Sequence, residues 1–437
     1  MKKESRLKQI NRPTDFISIK GGFDMRKMKI LGLIVLFGLF ISTLMISWEV
    51  PAMAAEGKIV IGMVDAISGP FKASGDRFQL GAKYAVDEIN AKGGLLGKQV
   101  ALVVEDSSFK PDVAVRKTTK LILEDKADIL IGCLGSHVFL AMMKAAEKYK
   151  VIAVNPNSEA ASITGSEFNP YVFRTTPTTG QRTAATISYF AKYSKFKKFY
   201  ILCQDASLGR EAGEGFKQNL KKIPGSQLVG EDYHPVALKD FAPYISKVIA
   251  SGAEVILTTN FGPDLGNLIK TEGQLGCKAV TGGGYLFDPV IMQDVREAGL
   301  GHLVIHHSLI DLDNPIQKKF VKDFQEKNKD LDKVLYSPVF GVNDYYYGMQ
   351  WMFDAIKRAG STDSAKLIQA WEGASYDMPW GKVTMRACDH QILTPYKAAL
   401  IVKDNEFFSF PYTGKPVIIP EEEITVPLSQ TGNARCK

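Results

Sequence analysis

The sequence predicts an α/β protein built as two doubly wound lobes joined by several connecting segments. Three observations carry this prediction. Short apolar runs alternate with amphipathic helical stretches from residue 59 to beyond residue 300. The alternation is interrupted at Asn169-Pro170-Tyr171-Val172-Phe173-Arg174-Thr175-Thr176-Pro177 and then resumes as a second series. The chain, at 437 residues, is also too long for one compact domain. Strands alternating with helices imply parallel sheets covered on both faces, and two such series imply two lobes with a cleft between them.

The first unit spans residues 59–106. Residues 59–64 read as a strand that ends in the small, polar loop Ala66-Ile67-Ser68-Gly69-Pro70. Phe78, Ala82, Ala85 and Ile89 then fall three or four residues apart and share one helical face. Gly93-Gly94 stops that helix, because glycine enters left-handed conformations without a Cβ penalty. Residues 100–104 form the next strand, which completes a βαβ unit with a right-handed crossover. Ligands of such sheets bind beyond the carboxyl ends of the strands, so the loop after Val64 is the first candidate binding surface.

A helix starts near Pro111, since proline suits the first helical turn, with Val115, Thr118, Leu121 and Ile122 facing inward. A strand over 128–132, a helix over 138–148 and a strand over 151–154 follow. The stretch 169–177 is extended, because residues preceding proline avoid the helical region, and marks the first crossing between lobes. The second series places helices over 182–193, 209–221, 241–250 and 264–274. Its strands fall at 198–203, 227–233, 254–258 and 278–281. A helix over 289–297 and an apolar run over 303–307 lead out of it. Helices over 315–327, 342–359 and 364–371 come next, then a hairpin-like pair over 382–386 and 396–402 and a proline-rich tail.

Composition is that of an ordinary globular protein, 45% hydrophobic and 23% charged. The net charge of +7 is concentrated at one end: residues 1–55 hold nine Lys/Arg against four Asp/Glu, which leaves about +2 for the rest. No basic stripe interleaved with aromatics remains, which excludes a nucleic-acid reading. Residues 1–55 are expected to be a signal peptide: basic Arg26-Lys27-Met28-Lys29, an apolar run over 30–47, and Ala52-Met53-Ala54 for cleavage. Met25 is a plausible true start, the mature chain is expected to begin at Ala55 or Glu56, and a periplasmic location follows. A retained membrane anchor is the alternative, since eighteen apolar residues just span a bilayer. Of five cysteines, Cys133 and Cys203 lie in apolar runs and read as buried thiols. Cys388 and Cys436 form a possible disulfide that would pin the tail in an oxidising compartment.

Catalytic signatures are missing: no G-x-S-x-G elbow, H-E-x-x-H pair, Walker loop or G-x-G-x-x-G fingerprint occurs. His306-His307 is the only adjacent histidine pair, and no further metal ligands stand near it in sequence. No enzyme, cofactor or metal is therefore expected. His137, near a strand end, reads equally as a ligand contact or as a locally satisfied histidine. Asp344-Tyr345-Tyr346-Tyr347 with Met349, Trp351 and Phe353 lies at helical spacing and reads mainly as core.

Ile67-Ser68-Gly69-Pro70-Phe71 and the helix segment around Asp87-Glu88-Ile89-Asn90 resemble the leucine/isoleucine/valine-binding protein family. The motifs at 95–106, 129–136, 151–160, 171–178 and 380–391 extend the resemblance to about residue 405. It implies a type I periplasmic binding protein fold with three hinge segments near 174–177, 306–308 and 378–381. Lobe one would be 57–176 plus 306–379, lobe two 177–305 plus 380–413, and 414–437 a C-terminal tail. It further implies an extracytoplasmic, monomeric solute-binding component that delivers a small amino acid, carboxylate or amide to the inner-membrane permease of an ABC importer of the branched-chain amino acid type. A sensing module that reports to a receptor is the alternative, because the same fold serves both roles.

By the same resemblance, Ser136, Asn157 and Ser158 would grip the polar head of the ligand, because a charged acceptor makes the stronger hydrogen bonds. Glu159 would repel a carboxylate unless it points away. Phe71, Leu208, Phe261 and Tyr285 would wall an apolar part. Gly284 stands where amino-acid-binding members carry an acid for the α-ammonium, Leu208 and Phe261 where they carry tyrosines, and Ser74 where an aromatic is frequent. Asp205 is the possible substitute acid.

Overall fold

Apolar runs with both faces buried become central strands, and the helical stretches between them cover the sheet. The structure, a computed structural model, describes residues 57–437. The expected leader over 1–55, with Met25 and Ala52-Met53-Ala54, lies outside the described residues. Strands β1 (Ile59–Asp65), β2 (Val100–Asp106), β3 (Ile129–Gly132), β4 (Ile152–Asn155) and β5 (Val172–Arg174) are all parallel. The chain then crosses to β6 (Lys198–Gln204), β7 (Gln227–His234), β8 (Val255–Leu257), β9 (Val280–Gly282) and β10 (Leu303–His306), again parallel. Both sets share one strand pattern, 2-1-3-4-5 in the first and 7-6-8-9-10 in the second. Among the described residues, no helix is long and apolar enough to cross a membrane.

The C-terminal third departs from expectation. Residues 382–386 and 396–402 do not pair with each other. β11 (Ser375–Met378), β12 (Gly381–Arg386) and β13 (Gln391–Leu393) extend the first sheet, with β13 beside β5. β14 (Tyr396–Val402) joins the second sheet against β10, flanked by β15 (Tyr412–Thr413) and β16 (Val417–Ile419). The third crossing between sheets therefore falls at Thr394-Pro395 instead of 378–381, and residues 380–393 belong with the first sheet. The other crossings follow β5 and β10. The physical reason is hairpin pairing: β12 folds back on β11 across Pro379-Trp380, which keeps it in the sheet it already occupies.

The tail is ordered structure. Beyond β16 comes the short helix Glu421–Ile424, and a disulfide joins Cys388 to Cys436. Cys133 and Cys203 are buried free thiols, and Cys277 is half-buried and free. The helix Val342–Ala359 turns Tyr345, Tyr347, Met349, Trp351 and Phe353 into the interior, so the aromatic run is core.

Candidate functional site

Both parallel sets present the carboxyl ends of their strands to a common cleft of about 700 Å³, part of it open to solvent. From the first sheet come the loops after β2, β3 and β4, with Phe109, Leu134, Gly135 and Asn157 to Glu159. From the second come the loops after β6, β7, β8 and β9, with Leu208, Val236, Phe261 and Tyr285. Phe340, ahead of the helix Val342–Ala359, closes one side.

Three helices begin at this cleft: Ser136–Tyr149, Ser207–Leu220 and Gly262–Leu275. None of the three has a side-chain N-cap bond, so their first N–H groups are not satisfied from within. Their dipoles add partial positive charge at one place. Gly135 makes the first of them possible. Its φ of 85° is left-handed, and a Cβ there would stand 2.6 Å from Phe109 Cε2.

The polar loops are tightly braced. Asn155 Oδ1 accepts the N–H groups of Asn157 at 3.1 Å and Ser158 at 2.7 Å. Ser158 Oγ donates to the Cys133 carbonyl at 2.7 Å, so its proton is spent on positioning the loop. Ser136 Oγ accepts the Ala160 N–H at 3.1 Å and keeps its own proton for another acceptor. Buried Asp65 accepts the Leu134 and Ala66 N–H groups and the Tyr345 hydroxyl, and desolvation pushes its carboxyl up to about 6. His137 meets Phe109 edge-on at 4.9 Å, and burial pushes its imidazole down.

The sequence-predicted residues Ser74, Ser136, His137, Asn157, Ser158, Leu208, Phe261 and Tyr285 all border this cleft. Phe71 does not; it stands behind the wall, 4.3 Å from the Phe109 ring and 5.7 Å from that of Phe261. Gly284 does not either: a Cβ there would meet Leu265 Cδ1 at 3.1 Å, inside the second lobe. Asp205 is exposed and bound to Arg210 at 2.7 Å, so it is no substitute acid.

The acids that do face the cleft are Glu159 and Asp288, and each is held by a buried arginine. Arg182 donates to Glu159 through Nε at 2.6 Å and Nη2 at 2.5 Å, and its guanidinium lies 4.1 Å from the Tyr285 ring centroid. Arg77 donates to Asp288 through Nη1 at 2.6 Å and Nη2 at 2.7 Å. Sequence reasoning missed Arg77, Asp288, Arg182, Phe109 and Phe340. The one available signal was Arg77 beside Phe78, on the inward face of the first helix.

The His306-His307 pair sits at the second crossing, with Asp344 brought to it by the fold; the three groups lie within 4.8 Å of one another. Ser308 Oγ links His306 Nδ1 at 2.9 Å to the Asp344 carboxylate, which also accepts the Gly341 N–H at 3.2 Å. Burial pushes His307 down to about 3 and Asp344 up to about 6. These bonds make the cluster a hydrogen-bonded bracing network at the crossing.

Two α/β lobes with a cleft at the carboxyl ends of both sheets define a bilobal solute-binding protein. The chain belongs to the periplasmic binding protein family, whose pattern matches residues 58–406. It is 25% identical over 396 residues to Leu/Ile/Val-binding protein homolog 4 of Brucella melitensis, covering 85% of this chain and 93% of that one. An amino acid ABC transporter substrate-binding protein from Pseudomonas fluorescens Pf-5 superposes with a TM-score of 0.77 at 23% identity, covering 87% of this chain and 100% of that one. An R. palustris solute-binding protein solved in complex with 4-hydroxybenzoate gives a TM-score of 0.75 at 22% identity, covering 83% and 97%. The family's members bind solutes and carry out no reaction; this protein is not an enzyme.

Proposed function

We propose that the cleft captures a small organic anion, a carboxylate on an apolar or aromatic body, and passes it to an ABC permease after lobe closure. One observation carries the reading: three uncapped helix starts converge on a cleft whose two carboxylates are already paired with arginine. A carboxylate finds N–H donors and the Ser136 hydroxyl there, whereas an ammonium finds no free acid. Leaving a buried charge unpaired costs several kcal/mol in an apolar setting, which disfavours an amino acid. Phe109, Phe261, Tyr285 and Phe340 suit a flat, apolar ligand body. A protein of the same fold binding 4-hydroxybenzoate supports that chemistry. The three crossings at 174–178, 306–308 and 394–395 are the proposed hinges, and the expected leader makes the site of action the periplasm.

The test is a thermal-shift screen with benzoate, 4-hydroxybenzoate, leucine and valine, because a ligand that binds only the folded state raises its melting temperature. Stabilisation by the aromatic acids is the expected result. Stabilisation by leucine or valine and not by the acids sinks the anion reading.

A further inference from the structure

Both buried ion pairs at the cleft connect one lobe to the other. Arg77 lies on the helix Lys72–Ala91 of the first lobe, and Asp288 follows β9 of the second. Glu159 follows β4 of the first lobe, and Arg182 lies on the helix Thr179–Tyr193 of the second. Each contact is a two-pronged fork, the geometry in which guanidinium matches carboxylate best. Both arginines are buried, at 1% and 0% exposure. The carboxylates border the ligand space while the arginines stand behind them.

We infer that Arg77 is a specificity-determining residue that masks Asp288, so that the cleft discriminates against ligands bearing an ammonium group. The inference rests on the cleft being the solute site and narrows the ligand class. With its mask removed, the Asp288 carboxylate would be the one free acid at the cleft wall. It would attract an ammonium and repel a carboxylate at short range and low dielectric. Asp288 Oδ1 also accepts the Val290 N–H at 3.0 Å, which keeps the carboxylate in position when Arg77 is absent. Each arginine lies over a ring of the cleft, Arg77 4.7 Å from the Phe340 centroid and Arg182 4.1 Å from that of Tyr285, but Arg182 is the poorer subject for a test because it also donates to the Ile305 carbonyl at 2.7 Å.

The experiment uses matched probes that differ only in the α-ammonium: leucine with isocaproate, and phenylalanine with hydrocinnamate. Isothermal titration, run into the millimolar range, gives the acid-to-amino-acid affinity ratio for the wild type, Arg77→Met and Asp288→Asn. Arg77→Met is expected to move that ratio toward the amino acid by about tenfold or more, the size of a short-range charge effect. Asp288→Asn, which unmasks the guanidinium instead, is expected to move it toward the acid. The double variant should return the ratio to near the wild-type value. If Arg77→Met does not fold, the opposite shift in Asp288→Asn decides alone. A pair that merely ties the lobes together would weaken both members of each probe pair equally, and an unchanged ratio overturns the inference. A wild type that prefers leucine to isocaproate would sink the anion reading, and the direction of the Arg77→Met shift would still decide the masking.

Discussion

Single residues at the cleft divide into those that offer a bond and those already spent. Ser136 has a hydroxyl proton to give, while Ser158 has committed its own to Cys133. Ser136→Ala is therefore expected to weaken ligand binding by about 1 to 2 kcal/mol, roughly five- to thirtyfold, because a hydrogen bond to a charged group is lost. Titration calorimetry checks it, and unchanged affinity would show that the carboxylate is gripped elsewhere. A different residue governs the pH response. Glu272 is buried, bonded to Thr281 Oγ1 at 2.7 Å, and desolvation raises its carboxyl to about 8. His302 beside it is pushed down to about 4, so both are neutral at neutral pH. An acid whose folded pKa lies above its unfolded value gives stability that is full at low pH and lost as pH rises through the folded pKa. Between about pH 4.5, where the unfolded carboxyl begins to lose its proton, and about pH 8 the wild type should lose stability that Glu272→Gln retains, a difference readable in urea titrations at the two ends of the window.

At the scale of elements, local chemistry fixes ends and distant pairing fixes partners. Thr178 caps the helix Thr179–Tyr193 in a reciprocal box with Gln181, at 3.0 and 2.9 Å, just where the chain leaves the first crossing. Thr178→Ala should cost about 1 kcal/mol of stability in a chemical-denaturation experiment, the usual value of an N-cap. Such signals explain why Pro315–Lys327, Val342–Ala359 and Ser364–Trp371 have the ends read from sequence: proline opens the first, glycines bound the second and Asp363 caps the third. The late hairpin was misread for the opposite reason. Nothing within residues 396–402 says that their partner is β10, about ninety residues back, and Thr394-Pro395 looks like any turn. The site divides in the same way. The place of Ser136, Asn157 and Ser158 at the cleft was implied by the family resemblance and by their positions after strand ends. The Arg77–Asp288 contact was not, because its partners stand 211 residues apart and a helical arginine reads as solvated surface until the fold buries it.

Across the whole molecule, the C-terminal tail links the two lobes in addition to the three crossings. It runs beyond residue 406, where the family pattern ends. β16 pairs with β14 of the second sheet, and Glu423 binds Ser188 at 2.7 Å and Lys192 on the helix Thr179–Tyr193. Val426 then accepts from Arg386 of β12, and Asn433 Nδ2 donates to the Thr164 carbonyl of the first lobe at 3.0 Å. The disulfide between Cys436 and Cys388, with Cys388 in the turn between β12 and β13, fixes the far end. A loop closed over 48 residues removes unfolded-state entropy worth about 4 kcal/mol in the chain-entropy picture, and natural disulfides give about 2 to 5 kcal/mol. Cys436→Ser, or reduction of the wild type, is therefore expected to lower stability by that order and to free residues 427–437 for proteolysis. The lobes would then lack the tail's covalent tie and keep only the crossings and noncovalent contacts such as Arg77–Asp288, so X-ray scattering should show a broader range of lobe separations in Cys436→Ser than in the oxidised wild type. The scattering result separates two roles of the tail. If stability falls while the scattering curves coincide, the disulfide fastens the tail without restraining the lobes. If neither quantity changes, the noncovalent contacts of Glu423 and Asn433 already hold the tail in place.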